Sequence, residues 1–340
     1  MRKLLTAVKR DASPAVKTLL LRTGACGAIR RIAPNRTLAI LRYHAICAPD
    51  AGYASADICV SPRAFERHVS YLAANYRVVS LPDAVRALKD GRALPPNAVA
   101  ITFDDGYRDN LAAAEVLKRY GATATFYITA GCVGDGQPFW PAELRYLVAA
   151  LLGSTLELAV EDKPVVTPVG TLAEKQDAVA RLTKIFKSVR IPVREELRAT
   201  LRSLAPTARM PRVMLSWDEV RQMAAMGMTI GAHTVTHPNL PSAGADAVAE
   251  IYEAKEILEA QVRTAVTMFS YPNGGAERYF TPEIQRFVQR AGYEAATTSR
   301  NGFATPTSDP FALERVQVSE RLEDVAFRLE VERFAFRPGQ

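Results

Sequence analysis

The chain is short of cysteine, short of histidine and without a long apolar run, and each shortage excludes something. Four cysteines in 340 residues, at 26, 47, 59 and 132, make no C-x-x-C pair and cannot supply a dense disulfide framework. That usage points to a reducing compartment. No uninterrupted apolar stretch approaches the roughly 18–20 residues needed to span a bilayer. Glycine (19) and proline (21) are near average, which excludes collagen-like and low-complexity architectures. What remains, 48% hydrophobic and 23% charged residues, suits a globular chain long enough for one α/β barrel with an insertion.

The formal net charge of +7 is unevenly spread. Residues 1–42 hold ten Lys or Arg against the single acid Asp11, which leaves −2 for residues 43–340. Basicity is therefore a property of an N-terminal arm, residues 1–37, and no nucleic-acid partner is expected. Met1-Arg2-Lys3 resembles the start of a secretory signal, but Lys9, Arg10, Asp11, Lys17 and Arg22 interrupt every apolar stretch after it. With Leu4, Leu5, Val8, Leu19, Leu20 and Leu21 interleaved, the segment reads equally as a solvated basic helix or as a peripheral contact with an anionic membrane. The expected location is cytoplasmic, with contact at the inner face of the membrane left open.

Short runs rich in β-branched and aromatic residues predict strands near Leu38–Tyr43, Tyr76–Ser80, Ala98–Phe103, Thr123–Thr129, Met228–Ala232, Thr267–Tyr271, Glu294–Thr298 and Leu313–Val318. Helices between them carry start signals: Ser61-Pro62, Thr281-Pro282 and the capping box Ser216-Trp217-Asp218-Glu219. Gly121 and Gly292 stand where helices should stop. Alternating β and α elements imply a parallel sheet, open or closed. Residues 134–212 break the rhythm with a helix, a hairpin around Glu161-Asp162-Lys163 and two further helices. They read as a mostly helical insertion, either shaping a substrate cleft or purely structural, between barrel parts 38–133 and 213–330. Residues 331–340 form a tail.

Five constellations lie at or just after the C-terminal ends of predicted strands. Two of the four histidines sit in Gly231-Ala232-His233-Thr234-Val235-Thr236-His237-Pro238. If that segment turns helically, the i and i+4 imidazoles share one face and converge on one ion. Val99–Tyr107 runs an apolar strand into Asp104-Asp105-Gly106. At the strand's end the two carboxylates can diverge, one to ligate a metal and one to act as a base, although a plain Asp-Asp-Gly turn explains the same residues. His44 follows Ile40-Leu41-Arg42-Tyr43, Phe269-Ser270-Tyr271-Pro272-Asn273-Gly274-Gly275 ends a strand in a turn, and Glu314-Arg315 interrupts another. In a β/α barrel such ends gather around one mouth, where active sites are built. His68, inside the pattern Phe65–Leu72, does not share that address and is expected on the surface.

On these residues the chain resembles the polysaccharide deacetylase family, the NodB-homology or family 4 carbohydrate esterases. Thr102-Phe103-Asp104-Asp105-Gly106 is similar to its first motif and His233-Thr234-Val235-Thr236-His237-Pro238 to its second, over roughly residues 38–320 without the insertion. The resemblance implies a distorted (β/α)7 barrel and a divalent metal on Asp105, His233 and His237, with Asp104 as general base. Zn²⁺ is the default for that donor set, with Co²⁺, Ni²⁺ or Mn²⁺ able to serve. The family usually carries an arginine two residues before the proline of its third motif. Here Ser270 stands there, and Arg315 is the expected replacement from a neighbouring strand. The late acid histidine has no counterpart after His237. His44 looks like its equivalent in the circularly permuted branch, which includes the biofilm poly-N-acetylglucosamine deacetylases.

The implied reaction is hydrolysis of an N-acetyl group on an amino-sugar glycan or glycoconjugate, with exopolysaccharide biosynthesis as one setting. The metal would activate water and polarise the carbonyl. Asp104 would take a proton, protonated His44 would supply one to the amine, and Tyr271, Pro272 and Asn273 would line the oxyanion and substrate side. An N-deformylase or deacetylase of a lipid-linked or small sugar, and a carbohydrate-binding pseudoenzyme, stand as alternatives. A metal phosphoesterase is disfavoured because no Lys or Arg cluster marks the cleft loops.

Overall fold

A computed structural model describes residues 12–273 and 280–334. Its strands are β1 (Ala39–Tyr43), β2 (Arg77–Val78), β3 (Ala98–Phe103), β4 (Thr125–Ile128), β5 (Thr155–Val160), β6 (Lys163–Pro168), β7 (Thr229–Ala232), β8 (Met268–Ser270), β9 (Ala295–Asn301) and β10 (Leu313–Gln317). β1 pairs with both β3 and β10, all in parallel, so β1-β3-β4-β7-β8-β9-β10 closes into a seven-stranded ring. The two-residue β2 pairs with the first residues of β3. The eight strands expected from composition all form, and the closed barrel with surrounding helices is the distorted (β/α)7 architecture anticipated above.

Alternation along each strand separates two environments. Leu41, Tyr43, Val99, Ile101, Phe103, Phe126, Phe269 and Val316 pack among the surrounding helices in the main apolar core. There Phe103 is stacked between Tyr43 and Phe126, at centroid distances of 5.2 and 4.4 Å. Such pairs add about 0.5–1.5 kcal/mol beyond area burial. Ile40, Ala98, Ala100, Tyr127, Met268 and Leu313 pack together with Leu81, Ala84 and Val85 from the helix Leu81–Lys89. The next residues of the same register, Thr102, Asp104, Ser270 and Arg315, are polar and buried.

Local signals account for the helix boundaries. Ser61, Ser216 and Thr281 each accept a hydrogen bond from the backbone three residues on, and Glu219 completes the Ser216 capping box. Gly121 and Gly292 adopt positive φ just past their helices. Residues 140–205 form three helices and the β5–β6 hairpin around a small core of their own, including Trp140, Leu144, Phe186 and Leu201. Among the described residues, no helix is long and apolar enough to cross a membrane.

Two expectations need correction. The basic N-terminal segment is not an unattached arm where it is described. Helices Pro14–Arg22 and Ala25–Ile32 dock on the helix Leu322–Glu330 through Lys17–Asp324 (2.9 Å) and a buried Arg30–Glu330 pair (3.0 Å). Two of its cations are thus spent internally. Residues 1–11 and the tail residues 335–340 lie outside the described residues.

His68, expected at the surface, is fully buried, with Nδ1 3.3 Å from the Tyr43 hydroxyl and Nε2 unpartnered. Burial pushes its imidazole down to about 4, and the charges of Glu320 and Glu323 only partly oppose this. A histidine whose folded pKa is lowered adds stability above its unfolded value of 6.5 and loses it as pH falls towards the folded one. Chemical denaturation between pH 7 and pH 4 should therefore show a loss of up to about 3 kcal/mol from His68. His44 and His237, lowered in the same direction, add to this limb. His68→Leu should flatten the limb, and an unchanged pH slope would exclude His68 as a contributor.

Candidate active site

The Asp104-Asp105 pair leaves β3 in two directions. Asp104 keeps the sheet register, its amide donating to Tyr43 O (3.0 Å), and its carboxylate stays in the buried polar layer. Asp105 then takes φ +78° and Gly106 φ +88°. A Cβ on Gly106 would lie 3.2 Å from Ile128 Cδ1 in a backbone region that side chains avoid, so glycine is required there. This reversal carries Asp105 away from Asp104 and towards the histidines after β7.

His233 and His237 do meet, but not through a helical turn. Residues 233–239 are irregular, with Thr234 at φ +66° and His237 at φ +57°. The rings come within 4.9 Å of each other, centroid to centroid. His233 Nε2 and His237 Nε2 lie 3.4 and 3.3 Å from Asp105 Oδ1. Three left-handed non-glycine residues in one cluster store strain that the surroundings must hold. Glu250, from the helix Asp246–Val262, accepts from the amides of Val235 and Thr236 (both 2.8 Å) and from the Thr236 hydroxyl (2.5 Å). The Thr234 hydroxyl caps the His237 amide. Gly131 passes so close that a Cβ would meet Val235 O at 2.7 Å.

The ligating atoms of Asp105, His233 and His237 all lie within 4.8 Å of one another, and all three residues are buried. His233 Nδ1 donates to the Ser270 carbonyl (2.7 Å), which leaves Nε2 as the free ring nitrogen. His237 Nδ1 is buried without a partner, against the rings of Phe139 and Trp140. Burial opposes charge on Asp105, but the two imidazoles beside it hold its carboxyl well below the usual range. Two imidazole nitrogens and one carboxylate, converging from fixed loops, fit a divalent cation such as Zn²⁺.

Asp104 is held differently. Arg315 Nη1 and Nη2 donate to Asp104 Oδ1 (2.7 Å) and Oδ2 (2.6 Å) in a forked pair, with Arg315 itself 1% exposed. Arg315 also donates to Thr298 O (2.7 Å), Thr102 Oγ1 (3.2 Å) and Ser270 Oγ (3.2 Å). Burial would raise the Asp104 carboxyl, but the charge and hydrogen bonds of Arg315 outweigh it and hold the group well below the usual range. The strand carrying Arg315 does not neighbour that of Ser270, because β9 lies between them. The guanidinium therefore reaches Asp104 from β10, which lies beside β1 in the ring.

His44 Nε2 lies 3.6 Å from Asp104 Oδ2, and its Nδ1 is buried without a partner. Burial, only partly offset by the two aspartates, pushes the imidazole down to about 4, which favours the neutral ring. Its loop is tied down by Asn110, which donates to His44 O (2.8 Å), and by Asp109, which accepts from the Ile46 amide (2.9 Å).

Of the residues expected on the oxyanion side, Tyr271 is otherwise engaged. Its amide donates to Thr297 O (3.1 Å) and its hydroxyl to Phe311 O (2.9 Å). Pro272 is buried, and Asn273 adopts φ +59° with a buried, unpartnered Nδ2. Gly274 and Gly275 lie outside the described residues. The insertion leans on the His233–His237 loop through the Trp140 indole, which donates to His237 O (2.9 Å), and through Arg194, which donates to Thr236 Oγ1 (2.9 Å). Sequence reasoning missed Glu250, Asn110 and the insertion's anchors. Glu250 sits in an ordinary amphipathic helix, and no local signal sets it apart.

Residues 91–296 match the family model described as polysaccharide deacetylase, more than half of the chain. YxkH of Bacillus subtilis (strain 168), which carries the same family designation, is 22% identical over 298 residues, 87% of this chain and 76% of that protein. Among solved structures, the Streptococcus pyogenes deacetylase PplD, determined in complex with acetate, superposes with a TM-score of 0.58 at 19% identity. The match covers 88% of this chain and all of that one. IcaB from Ammonifex degensii gives 0.56 at 20% identity, covering 87% of this chain and 98% of that one.

Proposed function

This chain belongs to the polysaccharide deacetylase family, whose members hydrolyse the N-acetyl amides of glycans, and on that premise we propose how its own residues divide the work. The reading is a metal-dependent removal of N-acetyl groups from an amino-sugar glycan or glycoconjugate. One observation carries it: two adjacent carboxylates occupy opposite environments, Asp105 against two imidazoles and Asp104 in the fork of a buried arginine. Asp105, His233 and His237 would hold the ion, Zn²⁺ by donor type. When bound, it would supply Lewis acidity towards the amide carbonyl and the attacking water.

The remaining steps belong to the protein. Asp104, kept ionised and aimed by Arg315, accepts the proton of the attacking water at Oδ2. His44 Nε2 is the nearest group to which that proton can pass, 3.6 Å away. Asp104 is held further down the pH scale than His44, so transfer in that direction is favourable. His44, charged only during turnover, then gives the proton to the leaving amine as the C–N bond breaks. The donor for the carbonyl oxygen falls to Asn273, since Pro272 has no N–H and the Tyr271 amide is spent in the sheet. Acetate bound to PplD, a protein of the same fold, agrees with acetate as the product.

The test is acetate release from N-acetylglucosamine oligomers, with metal stripped and then restored. Asp104→Asn should keep the fold and the metal yet lose roughly 10²–10⁴ in turnover. Near-wild-type turnover would remove Asp104 as the base. Metal binding without acetate would move the reading to another N-acyl group, with formate release as its assay.

A further inference from the structure

The segment following His44 closes on itself. Ala45 and Cys59 form a parallel bridge, with the Val60 amide donating to Ala45 O (3.0 Å). Within that closure Cys47 and Cys59, twelve residues apart, bring their Sγ atoms to 3.0 Å. Both are free, and they are 7% and 5% exposed. They lie in a small apolar cluster with Tyr107, Phe139 and Met214. The loop between them is also tied to the barrel through Tyr53, whose hydroxyl donates to Asp109 (2.5 Å) and whose ring packs on Tyr107. Asp109 also holds the Ile46 amide, next but one to His44.

We infer that Cys47 and Cys59 are a redox modification site: a dithiol that closes into a reversible disulfide and staples the loop behind His44. The oxidant is a low-molecular-weight disulfide such as oxidised glutathione. The Cys47 thiolate attacks one sulfur of that disulfide, forming a mixed disulfide and releasing one small thiolate. Cys59, having given its proton to solvent, then attacks the Cys47 sulfur and expels the second. Two protein thiols are oxidised, and one small disulfide is reduced to two thiols. Cys47 is suited to attack first, because the Cys59 thiol beside it holds it below the usual thiol range, while Cys59 is raised. The neighbouring sulfur also makes Cys59 the resolving group without a search through the chain.

Cys132 shares the apolar cluster and Cys26 lies elsewhere, so both serve as internal controls. The full-length protein should be equilibrated with oxidised glutathione, and its thiols counted after denaturation. The expected result is two remaining thiols in place of four and a non-reduced peptide linking positions 47 and 59. The thermal midpoint should rise by roughly several degrees, return on treatment with dithiothreitol, and stay unchanged in Cys47→Ser and Cys59→Ser. Four persisting thiols, a lone glutathione adduct, a link through Cys132 or an unmoved midpoint would each overturn the assignment. None of these readouts uses a glycan, so the outcome is independent of the deacetylase mechanism.

Discussion

Arg315→Leu is expected to be the most damaging single substitution in the barrel, by about 3–5 kcal/mol, because it strands the buried charge of Asp104. The effect should carry a pH signature. In the wild-type protein the Asp104 carboxyl is depressed, so its contribution is complete above the unfolded value and is lost only in strong acid. Without Arg315, burial is opposed by much less and the folded pKa moves above the unfolded one. The variant should then recover stability on acidification where the wild type loses it. The acid limb of kcat/KM, which owes nothing to Asp104 near neutrality in the wild type, should also move to higher pH. Arg315→Lys keeps the charge and loses the fork, and should fall between the two. If the single variant is too unstable to assay, Asp104→Asn combined with Arg315→Leu should be more stable than Arg315→Leu alone. Additive losses in that cycle would show that the pair is not coupled.

Replacing Asp105, His233 or His237 by alanine should remove the bound metal and lower turnover by roughly three orders of magnitude or more, since several kcal/mol of Lewis-acid assistance goes with the ion. Elemental analysis checks the first outcome, and acetate release with a chelator-treated control checks the second. A fully loaded alanine variant would refute that residue as a ligand. Strain makes a second measurement decisive. Asp105 is held at φ +78°, which glycine tolerates and alanine does not. In the metal-free state Asp105→Gly should therefore be more stable than Asp105→Ala by about 1 kcal/mol, although both lose metal. Equal stabilities would mean that the turn relaxes and that no strain is stored for the site.

Much of this architecture is legible one segment at a time. β3 is apolar but for Thr102, its end is marked by Asp104-Asp105-Gly106, and Ser216-Trp217-Asp218-Glu219 announces the helix Trp217–Ala225 through contacts spanning three residues. The histidine pair after β7 is equally visible. Its geometry is not, because two left-handed residues and the Glu250 carboxylate, rather than a helical period, bring the rings together. His68 was misplaced for a related reason. A helix with apolar residues on one face gives no sign that a polar side chain at its edge will be covered by Tyr43 and the segment around Glu320.

Sequence alone determined which segments become strands and helices, where they stop, and which side chains stand at strand ends. Those properties depend on backbone propensity and on hydrogen bonds between residues a few positions apart. Tertiary structure alone decided that β1 closes the ring between β3 and β10, and that Arg315 meets Asp104 across 211 residues of chain. It also decided that His44 lies beside Asp104 and that Cys47 faces Cys59. Ring closure sets which distant side chains share the low-dielectric interior, and burial beside a particular partner is what sets their charge.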